Sequence, residues 1–258
     1  MKYITNFFFS KIFKKVSIGL SSSGGRNFLG RICVFHRGGG NKVKYLLVDR
    51  FRRLNQYGFI YKIFSKRPFT AFIGAIIYDN GLHSFIILSD NLFVGSYVFS
   101  GISSESTKNL GSSGLLSTFS LFSPINSLEL FPFSGAKLSR AAGSSAFMVG
   151  RDFKKVLVKL NSGWQIKVSP FCVSSLGIVS NPFHYYKVIG KAGKARSFGI
   201  RPTVRGVIKN PCDHPHGGGE GKGSPPAAQV SPWGRLTKGT PTKRRKIDKL
   251  KKRLFKLL

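Results

Sequence analysis

Acidic side chains are scarce in this chain of 258 residues, in which nine Asp and Glu stand against 42 Lys and Arg for a formal net charge of +33. A free globule with this charge would repel itself, whereas a polyanionic partner would neutralise the charge and gain affinity through counterion release. The imbalance favours nucleic acid as the partner. An anionic membrane surface attracts the same charge, so charge alone leaves that alternative open.

Cysteine and long apolar runs are also scarce. Cys33, Cys172 and Cys212 stand far apart with no CxxC pair, which argues against a zinc ribbon or a disulfide framework. No uninterrupted apolar run of about 18 residues occurs, so a membrane span is not expected. Yet 41% of the residues are hydrophobic and 24 are Phe, which is enough apolar material to build cores and excludes a disordered basic peptide.

Charge is distributed unevenly along the chain. Residues 24–53 hold eight basic residues and one acid, residues 54–150 hold six basic and four acidic, and residues 187–258 hold nineteen basic and three acidic. A nearly neutral, apolar middle is therefore flanked by strongly basic segments. This pattern is typical of folded cores that carry extensions into nucleic acid.

The apolar middle predicts β-structure. Ala71–Tyr78 and Leu82–Leu88 are rich in Ile and aromatic residues, and the Asn80-Gly81 pair between them predicts a hairpin turn, because both residues tolerate positive φ. The Ser- and Gly-rich stretch Gly101–Ser123 is interpreted as a linker or long loop. The remaining strand candidates are Gly30–Phe35, Tyr45–Val48, Phe93–Phe99, Ala146–Val149, Val156–Leu160 and Trp164–Val168. Many short strands with frequent turns favour small barrels.

Beyond Gly190 the composition shifts to Gly, Pro, Lys and Arg, so we expect this segment to gain order from a partner rather than from its own core. Ile247–Leu258 has the spacing of a short, basic amphipathic helix, expected to lie on RNA or a neighbouring protein. The run Lys243–Lys246 fits phosphate neutralisation, with a nuclear signal as the alternative.

Two segments carry the densest chemistry. Ser23–Arg53 alternates basic and apolar residues around Gly38–Gly40, where glycine lets the backbone approach a phosphate and arginine offers a planar fork of donors. We expect this segment to contact RNA.

The second segment, Arg201–Gly221, contains Asp213-His214-Pro215-His216 followed by three glycines. It predicts a tight loop threaded into RNA, with the imidazoles stacking or hydrogen-bonding there. A metal site and general acid–base catalysis are alternatives, but the sequence places no third His and no nucleophile beside the pair. The Walker pattern fails at Gly223, where Ser or Thr would be required. The Ser231–Gly234 turn offers Trp233 as a stacking platform.

These motifs give the chain a resemblance to the universal second protein of the large ribosomal subunit, the L-two family. The resemblance covers roughly residues 22–246. It rests on SGGRNFLGRICVFHRGGGNKVKY near the start and on the blocks Gly135–Asp152, Val188–Lys222 and Val230–Lys246. Residues 101–131 and the first twenty or so residues depart from the family pattern.

The resemblance implies a mainly β chain with an OB-like barrel, an SH3-like barrel and an extended Gly-, Lys- and Arg-rich tail ending in a short helix. The expected bounds are 1–22 for an N-terminal extension (a cleavable targeting segment is the alternative), 23–105 for the OB-like barrel, 106–187 for the linker and SH3-like barrel, and 188–258 for the tail. The implied function is structural: binding of large-subunit rRNA, support of the peptidyl-transferase region and subunit association.

The implied partners are large-subunit rRNA, neighbouring ribosomal proteins and the small subunit, with no cofactor, metal or catalytic residue. A peptidyl-transferase-proximal loop is expected at Asp213, His214, His216, Gly217, Gly218 and Gly219, with His214 in a positioning role. The expected rRNA-binding residues are Arg26, Arg31, His36, Arg37, Lys42, Lys44, Arg140, Lys191, Lys194, Arg196, Arg201, Arg205, Lys222, Trp233, Lys238, Lys243, Arg244 and Arg245.

The abundance of Phe, Ile, Tyr, Lys and Asn fits an AT-rich genome and favours a mitochondrial ribosome, with a plastid or the bacterial cytoplasm as alternatives. Two other function classes stay open at this point: a hydrolase or metalloenzyme built on His214 and His216, and a basic membrane-surface protein.

Overall fold

A computed structural model of the chain describes residues 2–102, 109–221 and 228–239. It divides into two compact units. The barrel unit consists of Met1–Ser22 and Gly40–Phe198, and the tail unit consists of Ser23–Gly39 and Gly199–Leu258. Residues 23–39, which the sequence assigned to the first barrel, therefore group with the C-terminal segment. The predicted helix Ile247–Leu258 and the run Lys243–Lys246 lie outside the described residues.

Strands dominate the barrel unit. Its elements are α1 (Lys2–Val16), β1 (Ser17–Leu20), β2 (Val43–Leu46), β3 (Gln56–Phe64), β4 (Ile73–Tyr78), β5 (His83–Ile87), β6 (Tyr97–Ser100), β7 (Ser113–Leu115), β8 (Pro124–Asn126), β9 (Leu128–Glu129), β10 (Ala136–Leu138), β11 (Ala146–Arg151), β12 (Val156–Leu160), β13 (Gln165–Val168), β14 (Val173–Leu176), a 3-10 helix (Pro182–Tyr186) and α2 (Ala192–Ser197). Ten of the strands form one sheet in the order β13-β12-β11-β8-β14-β7-β6-β3-β4-β5.

The first half of the sheet is built around the predicted hairpin. β4 and β5 pair antiparallel, and the turn between them closes with a hydrogen bond from the Tyr78 N–H to the Leu82 carbonyl, with Gly81 at φ 78°. β3, which was not predicted, pairs with both β4 and β6. Ile60, Ile76 and other buried side chains fill the space between these strands.

The second half is built around β11, β12 and β13, which form the antiparallel meander expected from the sequence. Its core contains Phe119, Met148 and Val158, all essentially inaccessible to solvent. The two halves together confirm the prediction of a mainly β chain with an OB-like barrel followed by an SH3-like barrel.

The linker predicted over Gly101–Ser123 is wrong for its described part, residues 109–123. This part contains β7, and its serines are buried. The Ser112 hydroxyl accepts a hydrogen bond from the Phe99 N–H at 3.0 Å, and the Ser113 hydroxyl accepts one from the Gly101 N–H at 3.1 Å. Small polar side chains thus satisfy backbone groups where the two barrels meet, because a bulkier side chain would keep the strands apart.

Two other strand predictions also need correction. Gly30–Phe35 forms no strand in the described structure and makes one isolated bridge, between Arg26 and Ile32. The strand predicted over Phe93–Phe99 begins only at Tyr97, because Gly95 adopts φ 104° in a turn and donates its N–H to the Ile60 carbonyl.

Arg52 joins the two barrels. It is 6% exposed, and its guanidinium donates to the Phe99 carbonyl at 3.0 Å, the Ser100 hydroxyl at 3.1 Å, the Gly111 carbonyl at 2.7 Å and the Ser175 hydroxyl at 3.0 Å. Burial lowers the pKa of Arg52 from its ordinary value. The expectation that all of Ser23–Arg53 contacts RNA is therefore wrong for Arg52, whose donors are spent inside the protein.

The neighbouring Arg53 makes an ion pair across the same junction. Its Nη2 lies 2.8 Å from the Glu129 carboxylate, which is 1% exposed and also accepts the N–H groups of Gly135 and Val173 at 3.0 Å each. A buried carboxylate is stable only when paired and hydrogen-bonded in this way. One of the chain's nine acids therefore has a structural role.

Helix α1 covers one face of the first barrel. Phe9, Ile12, Phe13 and Val16 pack against a cluster of buried residues that includes Phe85. Phe9 and Phe13 meet the ring of Phe85 edge-on, each at 6.2 Å between centroids. The apolar side chains at helical spacing explain why this N-terminal segment is a helix on the sheet.

Candidate nucleic-acid interface

The residues expected to bind rRNA lie at the surface wherever the structure describes them. Arg140 is half-buried and the others are exposed. No ion pair within the described residues neutralises any of their cations. Lys222, Lys243, Arg244 and Arg245 lie outside the described residues. The barrel unit carries Lys42, Lys44, Arg140, Lys191, Lys194 and Arg196, and the tail unit carries Arg26, Arg31, His36, Arg37, Arg201, Arg205, Trp233 and Lys238.

In the tail unit a tight loop presents Arg26 and Arg31. The Gly25 carbonyl accepts the N–H groups of Cys33 at 2.9 Å and Val34 at 3.0 Å. Gly25 has φ +77°, and a Cβ built on it would lie 2.1 Å from the Val34 carbonyl oxygen, so only glycine fits. The closed loop leaves both arginine side chains exposed to solvent.

The same N-terminal segment pairs with the start of the C-terminal segment. The Gly38 N–H donates to the Gly199 carbonyl at 3.0 Å, and the Arg201 N–H donates to the His36 carbonyl at 2.7 Å. Arg37 and Ile200 form a bridge between these bonds. Three residues predicted separately, His36, Arg37 and Arg201, are thereby brought together, although they are more than 160 positions apart in the chain.

The Asp213–Gly219 loop is closed by its own hydrogen bonds. The Asn210 carbonyl accepts the N–H groups of Asp213 at 3.0 Å and His214 at 3.2 Å, and the Gly217 N–H donates to the His214 carbonyl at 2.9 Å. The His216 N–H donates to His214 Nδ1 at 3.0 Å. This last bond requires Nδ1 to be unprotonated, so the neutral imidazole carries its proton on Nε2.

Both imidazoles of this loop are buried against protein: His214 is 8% exposed and His216 is 9% exposed. A Cβ on Gly206 would lie 2.5 Å from the His214 ring, so that glycine makes room for it. Burial, His216 and Lys209 lower the pKa of His214, which is therefore neutral near pH 7. His216 Nε2 lies 3.3 Å from both the Val230 N–H and the Ala228 carbonyl.

The loop geometry suits positioning better than proton transfer. His214 Nδ1 already accepts a backbone hydrogen bond, and the two rings lie 4.8 Å apart between centroids. Within the described ranges, no group of three or more His, Cys, Asp or Glu converges on one point. What the loop presents outward is glycine backbone, since Gly218 and Gly219 are exposed and adopt positive φ.

Trp233 stands at the tip of a short hairpin in the tail unit. The Ser231 N–H donates to the Arg235 carbonyl at 2.7 Å, and Gly234 turns the chain at φ 73°. The indole is 62% exposed. It borders an open cavity of about 690 Å³ that is also lined by Phe35, His36, Arg201, Lys209 and His214. Aromatic faces beside cations are the groups that stack on bases and bind phosphates.

Comparison with known proteins places two family models on the chain. The model described as "Ribosomal Proteins L2, RNA binding N-terminal domain" matches residues 13–100. The model described as "Ribosomal Proteins L2, C-terminal domain" matches residues 109–234. Together these matches include both barrels and most of the tail described above.

Curated relatives agree with the family models. The chain is 42% identical to large ribosomal subunit protein uL2 of Wolbachia pipientis wMel over 233 residues, and 42% identical to the uL2 of Sinorhizobium medicae (strain WSM419) over 234 residues. Each alignment covers 90% of this chain and 84% of the relative. None of the helices in the described residues is long and apolar enough to cross a membrane.

Proposed function

Because the chain belongs to the family of ribosomal proteins L2, we propose that it is a structural constituent of the large ribosomal subunit that binds rRNA and is not an enzyme. The observation that carries this proposal is the match of both family models, one of them an RNA-binding domain, to consecutive parts of the chain. The exposed cations of both units support it, because they supply phosphate-binding groups without internal counterions.

The Asp213–Gly219 loop is the part of the tail that we place near the peptidyl-transferase centre. Its support is chemical: exposed glycine backbone can approach RNA closely, and the buried histidine pair fixes the backbone that does so. His214 acts as a positioning residue, because its imidazole bonds the loop itself. Asp213 is exposed and can meet an RNA donor.

Partners and compartment form the finer part of the proposal. The partners are large-subunit rRNA, neighbouring ribosomal proteins and, across the interface, the small subunit. The compartment is the mitochondrion, on the strength of a composition rich in Phe and poor in acids and of the unusual N-terminal helix. Relatives such as those of Wolbachia and Sinorhizobium are bacterial proteins, so the bacterial cytoplasm is the competing location. Fractionation of the source cell decides between them.

The test of rRNA binding is the salt dependence of affinity. A protein with six to ten phosphate contacts loses about 10³- to 10⁵-fold in affinity between 50 and 200 mM salt. We expect a loss in this range for the full chain on its own large-subunit rRNA. Arg201→Ala with Arg205→Ala should reduce the magnitude of the log–log slope by about 1.8, at roughly 0.9 per lost contact.

The matched control removes the same charge elsewhere. Lys154 and Lys155 are exposed in a turn of the second barrel and belong to no predicted contact. Their double replacement by alanine should leave the slope within about 0.3 of the parent value, on the same counterion argument. Equal slope changes in the two double variants would contradict the assigned interface, and an affinity independent of salt would contradict rRNA binding itself.

A further inference from the structure

Three aromatic rings stand almost free of protein contacts on the 3-10 helix Pro182–Tyr186. Phe183 is 76% exposed, Tyr185 is 90% exposed and Tyr186 is 74% exposed. The rings of Tyr185 and Tyr186 lie 5.7 Å apart at 83°, and those of Phe183 and Tyr186 lie 6.4 Å apart at 41°. We call these three residues the aromatic platform. Contiguous apolar surface of this kind marks a place where something binds.

The backbone beneath the platform is fixed to the first barrel. The Ser180 N–H donates to the Leu88 carbonyl at 3.0 Å, and the Ser180 hydroxyl accepts the Phe72 N–H at 3.0 Å. The Asn181 side chain donates to the Thr70 carbonyl at 2.8 Å. Pro182 then restricts the start of the helix. The rings are therefore presented on an anchored turn, which reduces the entropy lost when a ligand binds them.

The chain that carries the platform contains cations and no acid. Residues 182–198 include Lys187, Lys191, Lys194 and Arg196 and neither Asp nor Glu. All four cations are exposed. The end of this stretch is also anchored, because the Arg67 guanidinium lies 3.8 Å from the centroid of the Phe198 ring. Exposed rings and cations without acids match a polyanion with flat faces better than they match the apolar surface of a protein.

We propose that the aromatic platform stacks unpaired nucleobases of the large-subunit rRNA while the lysines that follow it bind the adjacent phosphates. The proposal rests on the rRNA binding proposed above and adds its ligand class at this site. Every base has a π-face, so the rings bind single-stranded or looped RNA with little sequence preference. The Tyr185 and Tyr186 hydroxyls lie at the ring edges and can bond base edges or phosphates.

Stacking and phosphate binding differ in their dependence on salt, and this difference makes the proposal testable. Affinity of the full chain for its rRNA is measured from 50 to 200 mM salt for three double variants. Tyr185→Ala with Tyr186→Ala should lower affinity by roughly tenfold or more at every salt concentration, with the slope unchanged. Lys191→Ala with Lys194→Ala should instead reduce the slope by about 1.8.

The third variant, Tyr185→Phe with Tyr186→Phe, keeps the faces and should retain affinity within about threefold, since stacking supplies most of the effect. The urea midpoint of each variant reports folding separately; exposed rings should leave it unchanged. As an independent readout, Tyr185→Trp should give indole fluorescence that rRNA quenches.

Three results would overturn the proposal: alanine variants that bind within twofold of the parent, an altered salt slope on ring removal, or an unquenched indole in the rRNA complex. Normal rRNA binding by the alanine variant with loss of one ribosomal protein from reconstituted subunits would assign the platform to a protein and also overturn it. A parent chain that fails to bind rRNA at all would instead refute the proposed function, so the two failures are distinguishable.

Discussion

Replacing Arg52 with alanine should separate the two barrels energetically. The side chain is buried, and its guanidinium bonds two carbonyls and two hydroxyls that belong to both halves of the barrel unit. Alanine would leave the Phe99 and Gly111 carbonyls without these donors in a buried place. An orphaned buried acceptor costs about 1–3 kcal/mol, and breaking a buried charged network costs about 3–5 kcal/mol in total.

The same residue offers a clean substitution, because Arg52 adopts φ 48° and alanine would bear the same backbone strain. The change therefore isolates the side chain. With a urea m-value of about 2 kcal/mol/M for a unit of this size, the predicted loss corresponds to a midpoint lower by about 2 M. Arg52→Lys keeps the charge but lacks the planar fork, so it should recover less than half of the loss.

The control for this prediction is Arg50→Ala, which removes an identical charge two positions away from an exposed side chain. Exposed substitutions usually change stability by no more than about 0.5 kcal/mol. Urea unfolding of all three variants at constant ionic strength, followed by far-ultraviolet circular dichroism, gives the comparison. Equal midpoints for Arg52→Ala and Arg50→Ala would refute the assignment of Arg52 as the junction.

Three further predictions concern other sites. Burial and Glu129 raise the pKa of Cys172 to about 11, so iodoacetamide at pH 8 should label only the two exposed cysteines of the native chain, and this thiol's contribution to stability should fall between about pH 9 and 11. Gly25→Ala should weaken rRNA binding more than Gly30→Ala, because both have positive φ but only Gly25 faces a carbonyl within 2.1 Å. Because the pKa of His214 is lowered, its contribution to loop stability is present above about pH 6.5 and is lost as pH falls; exchange protection of the His216 amide should fall accordingly.

The elements that sequence analysis predicted best are those whose local signals are strong. The Asn80-Gly81 turn and the apolar runs around it specify β4 and β5 without help from distant residues. The turn at Gly163, with φ 82°, similarly specifies the meander of β12 and β13. In both places the turn residues and the flanking strands indicate the same structure.

The junction of the barrels was harder to predict, because composition does not distinguish a buried arginine from an exposed one. Arg52 stands in a basic run and was assigned to RNA, yet its partners lie between 47 and 123 positions away in the chain. Ser112 and Ser113 resemble linker residues until their hydroxyls are seen to bond strand N–H groups. Long-range pairing of this kind leaves no periodic signal in a single sequence.

The candidate interface shows the same limit. Arg and Gly density predicted exposed cations in both units, and the described ones are at the surface. The burial of His214 and His216 was not predicted, because imidazoles beside glycines suggest RNA contact as readily as internal bonding. Tyr185 and Tyr186 were overlooked. Their signal was available, since two adjacent tyrosines stand in a stretch without acids.

The most direct test of the central claim is sedimentation of the chain from an extract of its source cell on a magnesium-containing gradient, with and without ribonuclease. The account predicts one copy per large subunit, at the position of that particle, and loss of this co-sedimentation when the RNA is digested. Recovery of the chain at the top of the untreated gradient, or with membranes regardless of ribonuclease, would contradict it.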